Sequence, residues 1–257
     1  MTFQLAACAE MLWLDKPIAW RAARLHEMGF GVGLWNWPEW DLGALEKTGA
    51  SFTIMNGYLR GRLSDAEGAD LLVNSARETA QVGKRLGVAR LNLHGTGLGD
   101  GGLPIPQHTA FAPGMWLRAR DTLHRICDMA EEEGVTFTLE NLNLREHPGC
   151  PFNTTADVLS LVSAVDRPQL CINLDLYHTQ IGEGDVIRWA EACLPWIGEY
   201  QVADNPGRFE PGTGEMNYPV IARALADMGY DGPVAFEGYA KTDPETALEA
   251  FRAAFTV

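Results

Sequence analysis

Apolar segments of strand length alternate with segments of helical periodicity along the whole chain. Short apolar runs bounded by turn residues indicate buried strands, and apolar residues that recur every three or four positions indicate amphipathic helices. The predicted strands lie at 3–8, 31–36, 52–57, 90–94, 135–140, 170–175, 197–202 and 233–237. The predicted helices lie at 17–29, 41–48, 64–86, 115–133, 155–165, 184–195, 217–228 and 244–255. This alternation predicts a parallel sheet with helices packed against it.

Two of the predicted helices begin with residues that cap a helix N-terminus. Ser64 followed by Glu67 predicts a capping box, in which each side chain accepts a backbone N–H of the other residue. Asp243 stands before Pro244 and Glu245, which places a cap acceptor, a residue with no N–H to lose and an acid at one helix start.

The sheet could close into a barrel or open into a doubly wound sheet. A dinucleotide-binding open sheet needs a glycine-rich turn after its first strand and an acid about 20 residues later. Residues 9–12 contain no glycine, and the glycine-rich stretch 95–102 follows the fourth strand and leads into Pro104 rather than a helix. A (β/α)8 barrel takes about 250 residues. We therefore predict an α/β fold, a single TIM-barrel domain over 1–257. The long irregular stretch 95–113 is interpreted first as a plain loop rather than a phosphate-binding motif, and it is also a place where a functional loop could lie.

The amino-acid composition limits the kinds of molecule that the protein is expected to bind. The formal net charge of −14 disfavours nucleic acid and anionic membrane surfaces, so we expect a small-molecule substrate. An anionic substrate would need a local cation, either a metal ion or a placed arginine. The five scattered cysteines indicate reduced thiols, and no segment has the length of a membrane span or the layout of a secretory signal, so a cytoplasmic protein is expected. A homo-oligomer is left open.

Oxygen-bearing side chains stand at the carboxyl ends of the last four predicted strands. They are Glu140, Asp175, Gln201 and Glu237, spaced by about one strand-plus-helix unit. In each strand that ends in an acid, the residues on the opposite face are apolar and suit the helix layer, so the acids should point into the barrel mouth. Carboxylates aimed at one point repel each other unless a cation lies between them, and oxygen ligands favour Mg²⁺ or Mn²⁺. The alternative is that these acids pair with arginines or end in solvent.

Further polar residues are predicted on the same rim. His178 follows Asp175 in a predicted loop, His94 ends the fourth strand and Asn56 ends the third. Each is a candidate for substrate contact, with a satisfied polar residue as the alternative. The cluster formed by Trp35, Trp37 and Trp40 is interpreted first as packing under a loop and second as a wall of the substrate pocket.

Four stretches of the sequence resemble a known family. They are TLENLN at 138–143, LDLYH at 174–178, QVADNPGRFEPGTGEMNY at 201–218 and FEGY at 236–239. Together they closely resemble the hydroxypyruvate isomerase family of the xylose-isomerase-like TIM barrels. The resemblance is strong from about residue 135 to 240 and generic before that.

The resemblance implies roles for individual residues. It implies one divalent cation held by Glu140, Asp175, Gln201 and Glu237, with Glu140 and Glu237 as the proton-transfer pair. It also implies that His178 and Arg208 contact the substrate. Arg208 could hold a substrate carboxylate through two parallel hydrogen bonds.

One departure from the family pattern bears on the substrate, and two comparisons within the superfamily bear on competing functions. Family members commonly carry a Glu late in the second strand, where this chain has Leu34. Ketose 3-epimerases of the same superfamily usually have His where this chain has Gln201, and the DNA-repair endonuclease branch has more His ligands for several zinc ions. The hypothesis is a metal-dependent isomerase that interconverts hydroxypyruvate with tartronate semialdehyde, or a related oxo-tetronate, through a cis-enediolate. The alternatives are a ketose or cyclitol epimerase or dehydratase, and a non-catalytic sugar-acid binding barrel.

Overall fold

The eight strands close into one parallel barrel. The computed structural model describes residues 3–107 and 112–257. Each strand pairs in parallel with the next along the chain, and the last pairs with the first. The strands are β1 Gln4–Cys8, β2 Gly31–Leu34, β3 Phe52–Asn56, β4 Arg90–Leu93, β5 Phe137–Glu140, β6 Leu170–Asp175, β7 Ile197–Val202 and β8 Pro233–Phe236. This topology confirms the predicted (β/α)8 TIM barrel.

Helices connect the strands and cover the outside of the barrel. They are α1 Ile18–Glu27, α2 Leu42–Glu46, α3 Ala66–Leu86, α4 Pro113–Glu133, α5 Thr155–Val165, α6 Leu176–Gly182, α7 Val186–Cys193, α8 Tyr218–Asp227 and α9 Pro244–Ala254. All eight predicted helices are present within a few residues of their predicted bounds. The additional helix, α6, follows β6 without a loop, so the prediction that His178 lies in a loop was wrong.

Asp175 explains why α6 begins where it does. Its side chain accepts hydrogen bonds from the backbone N–H groups of Tyr177, at 2.8 Å, and His178, at 3.2 Å. A carboxylate that caps a helix satisfies donors that have no partner within that helix. The last residue of β6 therefore also begins the next helix and fixes the direction of the side chains on its first turn.

The two predicted caps had different outcomes. Asp243 caps α9 and accepts the N–H of Thr246 at 2.8 Å, as predicted. The capping box at Ser64 was wrong, because the N-cap of α3 is Asp65, whose Oδ1 accepts the N–H of Gly68 at 2.7 Å. Asp is as good an N-cap as Ser, so propensity alone does not choose between neighbouring positions.

Side chains of the strands alternate between the helix layer and the barrel interior. Phe137 and Leu139 of β5 are fully buried in the hydrophobic core. Thr138, between them, donates a hydrogen bond to Oδ1 of Asn92 on β4 at 2.8 Å. This alternation confirms that Thr138 and Glu140 share the inward face of β5.

The stretch after β4 lies over one side of the barrel mouth. A bridge joins Leu98 to Pro104, and the Gly102 carbonyl accepts a hydrogen bond from the Asn56 side chain at 3.2 Å. Residues 108–111 of the predicted loop 95–113 lie outside the described residues. The hydrogen bond between Asn56 and Gly102 therefore connects the end of β3 to the β4–α4 loop.

Two predictions about the whole chain can be compared with the structure. All five cysteines are free thiols, as predicted. Within residues 3–107 and 112–257, none of the helices combines the length and apolar character needed to cross a membrane.

Candidate active site

The structure brings the four strand-end residues to one edge of the barrel. Glu140 and Asp175 are the last residues of β5 and β6, Gln201 lies one residue before the end of β7, and Glu237 directly follows β8. In the strand register Asp175 is paired with Gln201. Glu140, Asp175 and Gln201 are buried, and the Glu237 side chain is 13% exposed. The carboxyl ends of parallel strands meet at one edge, which is where barrel enzymes place their sites.

Glu140 is held from several directions. Its Oε2 accepts hydrogen bonds from the side-chain amides of Asn92 and, at 3.2 Å, Asn173. His94 Nε2 lies 3.2 Å from the same oxygen. Burial by itself opposes ionisation, but the charge and hydrogen bond of His94, with the charge of Arg208, hold the pKa of Glu140 below its usual value. Glu140 is therefore the carboxylate of this site that is stabilised in its charged form.

Arg208 connects two of the other acids. Its Nη2 donates to Asp175 Oδ2 at 3.0 Å and to Glu237 Oε2, and its Nε donates to the Glu237 backbone carbonyl at 3.0 Å. The guanidinium also lies 5.1 Å from the centre of the Tyr177 ring. Substrate contact by Arg208 stays a prediction. Two parallel bonds to a substrate carboxylate would require one of these hydrogen bonds to break, because both protons of Nη2 are already donated.

The site carries more negative than positive charge. Burial raises the pKa of Asp175 to about 7, although the charge of Arg208 opposes the shift. Burial also raises the pKa of Glu237 well above its usual value, again against Arg208. Three carboxylates share one guanidinium here, so the excess charge must be relieved by protons or by a cation.

The residues present fit a divalent cation. Gln201 Oε1 is buried and has no hydrogen-bond partner, although a buried amide oxygen normally has one. Ligand atoms of Glu140, Asp175 and His178 lie within 4.8 Å of one another. Carboxylate and amide oxygens are the donors that Mg²⁺ and Mn²⁺ prefer. Arg208 links Glu237 to Asp175 of this group through hydrogen bonds to both carboxylates.

His178 is a buried, oriented imidazole. Its Nδ1 lies 2.6 Å from the side-chain nitrogen of Asn143, and its Nε2 lies 3.6 Å from Asp175 Oδ2. Burial, followed by the charge of Arg208, lowers the pKa of His178 well below its usual value, so the ring is neutral. Because an amide nitrogen can only donate, Nδ1 accepts and the proton lies on Nε2.

The strand-end pattern did not single out several residues of the site. Asn92 lies on β4, two positions before His94, and Asn173 lies on β6, two positions before Asp175, so period-two alternation was a signal that could have found them. Glu146 offers no such signal: it lies beyond β5 and accepts hydrogen bonds from Tyr177 and Asn143. The position of Glu146 depends on the path of the loop after β5, which brings this residue next to Tyr177 on α6.

A cavity of about 150 Å³ opens above these residues. Glu140, Gln201, Glu237, His94, Asn56, His178 and Arg208 line it, as does His147. The facing wall contains Met11, Leu34, Trp35, Ile54 and Leu103. Of the tryptophan cluster, Trp35 belongs to this wall, whereas Trp37 is buried and donates its Nε1–H to the Asn56 carbonyl at 2.9 Å. Trp37 is therefore buried by packing, and Trp35 lines the cavity; the interpretation of Trp35 as a wall of the substrate pocket stays a prediction.

Comparison with known proteins places the chain in a family. A family model described as xylose isomerase-like TIM barrel matches residues 42–255. A 2-oxo-tetronate isomerase of Cupriavidus necator is 37% identical over 108 residues, 42% of each chain. The hydroxypyruvate isomerase of Escherichia coli is 33% identical over 128 residues, 50% of each chain. The matched stretch thus spans about half the length of these relatives.

A solved structure supports the same fold over the whole chain. The crystal structure of an AP endonuclease, family 2, from Brucella melitensis superposes with a TM-score of 0.85 at 24% identity, covering 98% of this chain and 99% of that one. Such low identity shows the fold alone. Since the family model covers most of the sequence and the strand topology agrees with it, the chain belongs to the xylose isomerase-like TIM barrel family.

Proposed function

We propose that the protein is an isomerase of short α-hydroxycarbonyl compounds, which moves a proton between neighbouring carbons through a cis-enediolate. The observation that carries this proposal is the group of buried acids at one barrel mouth, beside the unpartnered oxygen of Gln201. The names of the two relatives, a 2-oxo-tetronate isomerase and a hydroxypyruvate isomerase, support the reaction class. They make hydroxypyruvate the first compound to assay.

Residues of this chain would hold one divalent cation. Glu140, Asp175, Gln201 and Glu237 supply the oxygen donors, and Mg²⁺ or Mn²⁺ is the ion that this donor set favours. When bound, the cation polarises the substrate carbonyl group and stabilises the negative charge that develops on its oxygen.

The two glutamates of the mouth are the proposed acid–base pair. Glu140 is kept ionised by His94, Asn92 and Asn173, so it can remove the proton from the carbon that bears the hydroxyl group. Glu237 directly follows β8, which is three strands away from β5 in the barrel, and it can return a proton to the neighbouring carbon. A positioned acid–base group contributes about 10²–10⁴-fold to a rate.

His178 and Arg208 are the proposed orienting groups. The neutral His178 ring carries its proton on Nε2 and can donate it to a substrate oxygen. Arg208 fixes Asp175 and Glu237 relative to each other, so it controls where the acid on β8 points.

Exchange of solvent deuterium into hydroxypyruvate, followed by NMR in the presence of Mg²⁺, tests the proposal. We expect exchange at the carbon that bears the hydroxyl group, and we expect Glu237→Gln to slow it by about 100-fold or more. The matched control is Glu210→Gln, which alters a buried glutamate that accepts the N–H of Lys241 outside the mouth. Equal rates for wild type and Glu237→Gln would contradict the proposal.

A further inference from the structure

The cavity has two chemically different halves. The half built by β5 to β8 carries Glu140, Glu237, Arg208 and Gln201, together with the apolar Leu142 and Phe236. The half built by the ends of β1, β2 and β3 and by the β4–α4 loop presents Met11, Leu34, Trp35, Ile54 and Leu103, with Cys8 and Asn56 as polar members. We name the first five of these residues the apolar wall. A ligand that fills the cavity must contact both halves.

The segment of the apolar wall that carries Trp35 is held in a fixed position by a buried carboxylate. Glu10 accepts hydrogen bonds from the backbone N–H of Trp35, at 3.0 Å, from the N–H of Asn36, at 2.8 Å, and from Trp40 Nε1, at 3.0 Å. Glu10 is itself buried. Three N–H donors on one carboxylate form strong, directional bonds. The segment that carries Trp35 is therefore preorganised over the mouth.

Ordinary core packing does not account for the whole wall. Leu34 and Ile54 are buried and would be explained as core residues. Trp35 is only half-buried and Leu103 is 56% exposed, yet both line the cavity. Exposed apolar side chains that converge on a cavity beside convergent polar groups are typical of a ligand-binding surface.

The charges of the cavity disfavour an anionic ligand tail. Among the described residues that line it, Arg208 is the only Lys or Arg, and it already bonds Asp175 and Glu237. The divalent cation of the proposed site and Arg208 would together balance the charges of Glu140, Asp175 and Glu237, so they leave no surplus positive charge for a carboxylate on the ligand. A carboxylate placed against the apolar wall would be desolvated without a partner, which costs free energy.

We infer that the substrate is an uncharged α-hydroxycarbonyl compound with a short aliphatic end, and that this end lies against Leu34, Trp35 and Leu103. The inference rests on the proposed function, and it narrows the substrate class of the same site. The volume of about 150 Å³ limits the part of the ligand that lies inside the cavity to about the size of benzene. The aliphatic end is therefore no longer than a few carbons.

Three probes with the same hydroxymethyl ketone group test the inference. They are 1-hydroxy-2-butanone, with an ethyl tail, dihydroxyacetone, with a hydroxymethyl tail of equal size, and hydroxypyruvate, with a carboxylate. Dissociation constants are measured by ligand-observed NMR titration of the full chain with Mg²⁺ present. We expect the ethyl ketone to bind about fivefold more tightly than dihydroxyacetone, and hydroxypyruvate to bind most weakly.

Two matched variants locate the contact. Leu103→Asn should reduce the preference for the ethyl tail to about twofold or less, without weakening dihydroxyacetone. Leu117→Asn is the control, because Leu117 is similarly exposed, at 59%, but lies on α4 away from the cavity. Both positions are exposed, so neither change is expected to unfold the chain. An equal effect of the two substitutions overturns the assignment of the wall.

The same samples separate this inference from the proposed function. Deuterium exchange is recorded in the same samples as binding. Lack of exchange in all three probes would contradict the isomerase proposal. The order of the three affinities would still test the inference about the substrate. Exchange with hydroxypyruvate bound most tightly supports the isomerase and overturns the inference. Failure of all three probes to bind also overturns it.

Discussion

The two halves of the barrel mouth each contain a buried glutamate, and the two glutamates have opposite surroundings. Glu140, on the polar half, faces the cavity and is kept ionised by His94, Asn92 and Asn173. Glu10, on the apolar half, turns toward the backbone of the Trp35 segment, and burial raises its pKa despite its hydrogen bonds. The comparison shows that a buried glutamate can take part in the proposed reaction or can fix a backbone segment. Which of the two it does depends on the groups that donate hydrogen bonds to it.

The largest effect is expected from neutralising Glu140, the buried glutamate of the polar half. We expect Glu140→Gln to slow deuterium exchange by about 10²–10⁴-fold, because the proposed base is lost while the shape is kept. The NMR exchange assay measures the rate, and circular dichroism checks the fold. A variant that is folded and retains more than a tenth of the rate would show that Glu140 is not the base.

The charge balance of the polar half is tested by removing its guanidinium. Arg208→Met leaves the carboxylates of Asp175 and Glu237 close together without their shared donor. We expect the free energy of unfolding in chelator to fall by about 3–5 kcal/mol, the cost of breaking a buried pair, and Mn²⁺ to restore part of it. Urea denaturation measures both values. The control Arg120→Met removes an exposed pair with Asp121 and should cost less than about 1 kcal/mol.

The apolar half is tested by removing the acceptor that holds it. Glu10→Ala leaves three partly buried N–H donors without this acceptor, so we expect the free energy of unfolding to fall by about 2–3 kcal/mol. The preference for the ethyl ketone should fall as well, because the wall loses its fixed position. Glu39→Ala, an exposed acid in the same segment, is the control and should change neither quantity. Unchanged stability of Glu10→Ala would show that water replaces the carboxylate.

The smallest expected effect is a pH dependence of the apolar half. Because burial raises the pKa of Glu10, the folded chain binds this proton more tightly than the unfolded chain does, whose pKa is about 4.3. The contribution to stability is thus fully present below about pH 4.3 and declines as the pH rises through the raised pKa. The measurement is the difference in unfolding free energy between wild type and Glu10→Gln across that range. A difference that grows with pH would contradict the assigned direction.

Local sequence signals were sufficient for the strands and for the composition of the polar half. Glu140, Asp175, Gln201 and Glu237 could be predicted at one rim because parallel strands of a barrel end at the same edge. The helix α6 was not predicted because no turn residues separate it from β6. Asp175 is both the last residue of β6 and the N-cap of α6. The cap of α3 was misplaced by one residue, since Ser64 and Asp65 are equivalent as isolated signals.

The alternation of apolar runs and amphipathic segments determined the (β/α)8 barrel, and the strand-end positions determined which acids meet at its mouth. Only the tertiary structure decided which donor each acid receives. Arg208 reaches Asp175 across 33 residues of sequence, and Trp35 reaches Glu10 across 25. These hydrogen-bond partners come together only in the closed barrel. Hydrogen bonds between distant elements depend on side-chain direction and on the path of the loops, and the periodicity of the sequence does not encode either.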